Sequence, residues 1–124
     1  MDFRKLYLPA TLIWAVGLFI GSTAQGHGGL ARFLGQFNIS GFGLHFAGYL
    51  IFGLLLILTL KSYEIKNSFV YSVIIAAVYG IAMEGLQFFV PYRDPSVIDA
   101  LANTAGAFIS SGIYELYHGH KRPA

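Results

Sequence analysis

The sequence predicts an all-α integral membrane protein, one domain over residues 1–124 built as a bundle of four transmembrane helices, and three observations carry that prediction. First, 56% of the residues are hydrophobic and only 11% are charged, whereas a soluble domain carries about 25% charged residues. A water-facing surface could hardly be assembled from what remains. Second, the charges fall in clusters separated by apolar stretches close to the ~20 residues that a helix needs to cross a hydrocarbon core. Third, the basic residues are divided unevenly among the connections, the bias expected of a chain threaded through a bilayer.

The first span is expected at residues 6–23. Its approach, Arg4 and Lys5 before an apolar run that ends in Ser22-Thr23-Ala24, has the outline of a signal peptide. The apolar run is nevertheless as long as a full span, which predicts a retained first helix. Residues 24–42 are rich in glycine, and Leu30, Phe33, Leu34 and Phe37 recur at the i, i+3, i+4, i+7 spacing of an amphipathic helix. That segment is expected to lie in the interface or to dip back as a re-entrant loop. The second span follows at 43–60, and the third at 68–90, with Glu84 near its end. Pro91 and Pro95 bracket the next turn, where proline stops one helix and suits the first turn of another. The fourth span is expected at 95–117, with Asp99 near its start.

With the N-terminus in the cytoplasm, Arg4, Lys5, Lys61, Lys66, Lys121 and Arg122 lie inside and only Arg32 and Arg93 outside, so both termini are expected to be cytoplasmic. Tyr63, Tyr71, Tyr114 and Tyr117 then fall at the inner interface. The absence of cysteine excludes disulfides, thiolate catalysis and cysteine metal sites. A net charge of +2 without a basic run gives no reason to expect a nucleic-acid partner.

This topology gathers the rare polar side chains at one depth. His45 opens the second span, Glu84 and Gln87 close the third, Asp99 and Asn103 open the fourth, and Ser22, Thr23 and Gln25 end the first on the same side. They also fall on single helix faces. Gly80, Glu84 and Gln87 form one stripe, Asp99, Asn103, Gly106 and Ser110 a second, and His45, Gly48, Tyr49 and Phe52 a third. Small residues in such stripes let helices approach closely, and intramembrane ionisable groups face the bundle interior or a wet cavity. The expectation is a polar pocket open to the outer leaflet, with Arg93 and Asp94 at its rim. Plainer roles stand beside this one. Ser96 with Asp99 has the form of a capping box, Asp94 is placed to be the N-cap, Arg93 to neutralise neighbouring acids, and His45 to bridge Glu84 or Asn103. Glu84 is the deepest acid; ionised, it needs His45 or Arg93 nearby. His118 and His120 read as an incidental tail, and His27 carries no signal.

His45 with Tyr49, Glu84-x-x-Gln87, and then Arg93, Asp99, Asn103 and Gly106 resemble the VanZ-like family, small bacterial membrane proteins named for a teicoplanin-resistance protein. The resemblance covers about residues 41–112, and the order E-x-x-Q-x-x-x-P-x-R-x-x-x-x-x-D-x-x-x-N-x-x-G carries it. It implies a multi-pass protein of the bacterial cytoplasmic membrane with a role at the cell envelope and, for the namesake, lowered sensitivity to a lipidated glycopeptide antibiotic. It supplies no mechanism.

Three mechanisms follow. The first is binding of an amphipathic ligand by His45, Tyr49, Glu84, Gln87, Arg93, Asp99 and Asn103, with arginine suited to a phosphate or carboxylate. The ligand would be a membrane lipid, a lipid-linked cell-wall precursor or the lipoglycopeptide. The second is acid-base catalysis on a lipid-linked head group by His45 with Glu84 or Asp99; no nucleophile stands out, Ser96 lacking an elbow motif. The third is structural, the polar groups pinning helices whose function lies in contacts with a partner protein. A transporter would need oligomerisation, which the sequence leaves open, and shows no inverted repeat. A metal site from His45, Glu84 and Asp99 is conceivable, but no metal-ligand spacing supports it, and no metal and no cofactor is expected.

Overall fold

The computed structural model describes residues 2–23, 41–89 and 97–119. Among them are four α-helices: α1 Arg4–Thr23, α2 Gly41–Ser62, α3 Ser68–Gln87 and α4 Val97–Gly119. Most of the glycine-rich segment, Arg32, Pro91, Arg93, Asp94, Pro95, Ser96, His120, Lys121 and Arg122 lie outside the described residues, so the expectations placed on them do too. Helix α3 ends earlier than the hydropathy suggested. Its last carbonyls turn inward, with Phe88 N–H donating to Gly85 at 3.2 Å and Phe89 N–H to Leu86 at 3.0 Å. These i→i+3 bonds tighten and close a final turn.

The turn between α2 and α3 is short and locally specified. Ile65 N–H reaches back to the Leu60 carbonyl and Glu64 N–H to Lys61, both at 3.0 Å. This pair of bonds closes a helix through one left-handed residue, normally glycine. Here Glu64 occupies that position at φ 58°. Asn67, at the N-cap of α3, is also left-handed, a conformation asparagine tolerates better than most residues.

Helices adjacent in sequence run antiparallel. Thr11 of α1 meets Thr59 of α2 through their hydroxyls at 2.7 Å, and Ser72 of α3 donates to Ser111 of α4 at 3.0 Å. Ser111 in turn donates to the Gly53 carbonyl of α2 at 3.1 Å, so one hydroxyl chain ties three helices together. Helices α2 and α4 therefore lie side by side and parallel. Glycine makes their approach possible: a Cβ on Gly53 would sit 2.6 Å from Ala107 Cα, and one on Gly106 would sit 2.6 Å from the Phe46 carbonyl oxygen. Gly106 belongs to a stripe read from the sequence; Gly53 does not.

Tyr49, Phe52, Leu56, Ala76 and Ala107 form the buried core, with Trp14, Ala15, Leu18 and Tyr79 packed against it. Trp14 Nε1 donates to the Gly48 carbonyl at 2.9 Å, and the Tyr79 hydroxyl donates to the Ala15 carbonyl. Helix α1 is thereby fastened to α2 and α3. The outer surface is rich in large apolar side chains, and polar groups are buried beside the apolar core. Ile13, Ile51, Val78, Ile81, Leu101 and Ile113 are all exposed, whereas Ser72, Glu84, Gln87, Asn103 and Ser111 are buried. A water-soluble monomer rarely exposes apolar patches beyond a few hundred Å²; hydrocarbon solvates such a surface without penalty. Helices α2 and α3 are long and apolar enough to cross a membrane. At the end of the bundle where α1 begins and α2 ends, Arg4, Lys61 and Lys66 line one recess with Tyr7, Tyr114 and His118. Lys61 pairs there with Glu115 at 2.8 Å.

Candidate functional site: a polar cluster at the junction of α2, α3 and α4

The opposite end of the bundle holds the polar residues. They reach it because α2 and α4 begin there and α3 ends there. His45 stands one turn into α2, Glu84 and Gln87 in the last turns of α3, and Asp99 and Asn103 in the first turns of α4. Packing α3 antiparallel to the parallel pair α2 and α4 converts three separate sequence positions into one cluster.

All three sequence-predicted stripes face inward. Glu84 retains 7% exposure, Gln87 2%, Asn103 and Tyr49 1% each. His45 and Asp99 sit at the margin, half-buried. Gly80 supplies room between them: a Cβ there would lie 3.2 Å from Asn103 Nδ2 and 3.5 Å from Tyr49 Cε1. The Tyr49 ring and the Asn103 amide therefore meet over Gly80, one helical turn from Glu84.

His45 and Asn103 are directly joined, Nδ1 to Oδ1, at 3.0 Å. With a carbonyl oxygen as acceptor, Nδ1 donates this bond, and Nε2 is turned to Asp99. Asp99 Oδ2 lies 3.9 Å from Nε2, too far for a hydrogen bond but close enough for an ion pair. His45, Glu84 and Asp99 each offer one ligand atom, and these atoms lie within 4.8 Å of one another, an arrangement able to hold a metal ion. The deepest acid thus has the imidazole within 4.8 Å of it. The absence of a metal-ligand spacing in the sequence has a simple cause: the three groups come from three different helices.

Tyr49 and Asn103 each bury a polar atom, the Tyr49 hydroxyl and Asn103 Nδ2, that has no hydrogen-bond partner among the described residues. Such groups cost about 1–3 kcal/mol apiece when nothing meets them. Arg93, expected at the rim, lies outside the described residues, in the connection that joins the ends of α3 and α4 carrying the cluster. The same holds for Gln25, while the α1 residues expected at this level, Ser22 and Thr23, lie outside the described side chains. Sequence reasoning missed the hydroxyl bridges Thr11–Thr59 and Ser72–Ser111. Serine and threonine are too common in apolar helices to stand out, and only their pairing across helices is informative. His118, read as incidental, packs on Tyr114 with ring centroids 4.2 Å apart, at the basic end and far from the cluster.

Residues 8–118 match the family described as VanZ/LLP1. No curated protein and no solved structure matches the chain.

Proposed function

The chain belongs to the VanZ/LLP1 family, and from that premise we propose that it is a four-span protein of the bacterial cytoplasmic membrane whose polar cluster receives the head group of an amphipathic or lipid-linked ligand. Both termini lie in the cytoplasm, and α1 and α4 cross the bilayer with α2 and α3. The ring of Arg4, Lys61 and Lys66 at one end supports this orientation, because basic residues remain on the cytoplasmic side. The exposed apolar faces of α1 and α4, among them Leu12, Ile13, Leu101 and Leu116, support four spans. The cluster then lies in the outer leaflet, at head-group depth.

One observation carries the ligand reading. In a bundle whose surface is apolar, His45, Glu84, Asp99 and Asn103 converge at one end, beside buried polar atoms of Tyr49 and Asn103 that have no hydrogen-bond partner among the described residues. Polar groups placed only to pin helices would satisfy one another. A head group with phosphate, carboxylate or sugar hydroxyls would meet these donors, with Arg93 as the anion's counter-charge. The family name makes a lipid-linked cell-wall precursor and teicoplanin the ligands to try first.

Native mass spectrometry of the protein extracted gently from its own membrane tests this. A bound lipid or precursor in the wild type, lost in Arg93→Ala and Glu84→Gln, is the expected result. Retention of the same ligand in both variants would remove the site from this cluster. A second reading, acid-base chemistry on a lipid-linked head group, draws on the approach of His45 to Asp99 and Glu84. It predicts that lipid-linked precursors incubated with the protein are altered, and intact recovery would reject it.

A further inference from the structure

We infer that His45, Glu84 and Asp99 form a binding site for a divalent cation of the zinc or manganese class, with Asn103 as the residue that orients the histidine. The argument begins with side-chain positions. His45 Nδ1 is held on Asn103 Oδ1 at 3.0 Å, which leaves Nε2 facing Asp99 Oδ2 at 3.9 Å in a half-buried place. A cation shared between that nitrogen and that oxygen would need a third ligand and a common centre.

Geometry meets the demand. Three atoms no more than 4.8 Å apart share a centre at most about 2.8 Å away, and zinc takes imidazole and carboxylate ligands at ~2.0–2.2 Å. Closing that gap takes side-chain shifts of under an ångström. One imidazole and two carboxylates suit zinc or manganese, and three protein ligands leave coordination positions open. The Asn103 side-chain carbonyl stands on the far imidazole nitrogen, where a metal-bound histidine usually has a carboxylate, backbone carbonyl or water that fixes ring orientation and tautomer.

An independent observation points to a ligand in the same place. Asn103 is 1% exposed, its oxygen is committed to His45, and its Nδ2 has no partner among the described residues. The Tyr49 hydroxyl beside it is in the same condition. The amide nitrogen cannot ligate a cation, but it and the hydroxyl are both able to donate to an oxyanion or water held on one. That this anion is the head group of the ligand rests on the reading given above; the cation site stands on its own geometry.

The test uses the full chain in phosphatidylcholine nanodiscs, stripped with chelator and titrated with MnCl2. Loss of the free-ion electron paramagnetic resonance signal measures binding, ZnCl2 serves as competitor, and bound lipid is counted by mass spectrometry in the same samples. The expected result is one Mn²⁺ per chain, displaced by Zn²⁺, with affinity at least tenfold weaker in Glu84→Gln and Asp99→Asn and unchanged in His118→Ala. Asn103→Ala keeps all three ligands and is expected to weaken affinity by about 10- to 100-fold, so the inference remains testable if an acid variant fails to fold. No stoichiometric binding in the wild type, or equal affinity in the Glu84, Asp99 and Asn103 variants, would overturn it. Head-group ligand retained without any cation site overturns this inference alone; a cation site with no ligand retained in native extracts overturns the ligand reading alone.

Discussion

Tyr49 is 1% exposed, yet its hydroxyl has no hydrogen-bond partner among the described residues. Phenylalanine would fill the same volume without that burden. If the hydroxyl serves only the protein, Tyr49→Phe should be neutral or stabilising by about 1–2 kcal/mol. If it serves a ligand, the same substitution should raise or preserve the melting temperature while lowering ligand retention. Thermal unfolding and lipid counting on one preparation separate the two, and loss of stability together with ligand would contradict the binding role. Glu84→Gln is judged the same way. An interhelical hydrogen bond in a membrane bundle contributes about 0.6 kcal/mol on average, so a purely structural Glu84 allows only a small shift. A large fall in ligand retention with a melting temperature within a few degrees of wild type assigns it to the site, whereas a similarly small shift with ligand retention unchanged assigns it to packing.

Packing of α2 on α4 decides where these residues meet, and glycine decides that packing. A Cβ on Gly106 would meet the Phe46 carbonyl oxygen at 2.6 Å and Leu50 N at 3.0 Å, backbone atoms that cannot rotate aside. Gly106→Ala and Gly53→Ala should each destabilise by about 1–3 kcal/mol, the usual cost of overpacking. Gly85→Ala, with nothing within 4 Å, should be neutral or slightly stabilising through helix propensity. Equal melting temperatures for all three variants would contradict the close α2–α4 contact. The α2–α3 turn gives a prediction of opposite sign. Glu64 holds a left-handed φ of 58°, which costs a non-glycine residue about 1 kcal/mol. Glu64→Gly should therefore raise the melting temperature, and a decrease would mean that the carboxylate contributes more than the strain removes.

For the molecule as a whole, large apolar side chains on the outside, with Glu84, Gln87 and Asn103 buried, suit a protein in contact with lipid. The orientation proposed for it is open to a clean experiment, because the chain contains no cysteine. Asn67→Cys should resist a membrane-impermeant maleimide in intact cells and react after permeabilisation, while Phe89→Cys should react from outside in both. The reverse pattern would place the polar cluster on the cytoplasmic side and end the outer-leaflet reading.

Hydropathy and helical period are local properties, so the sequence by itself determined the helices to within a few residues. It also showed that Glu84 with Gln87, Asp99 with Asn103, and His45 with Tyr49 each share a face. The family pattern was legible for the same reason, since it is an ordered string of rare residues along those faces. Distances between helices are not local. His45 and Asn103 are 58 positions apart and Thr11 and Thr59 are 48, and no periodicity records that they touch. Only the tertiary structure decided that α2 lies along α4, that Gly53 is the point of closest approach with Gly106, and that one imidazole and two carboxylates from three helices end within 4.8 Å of one another.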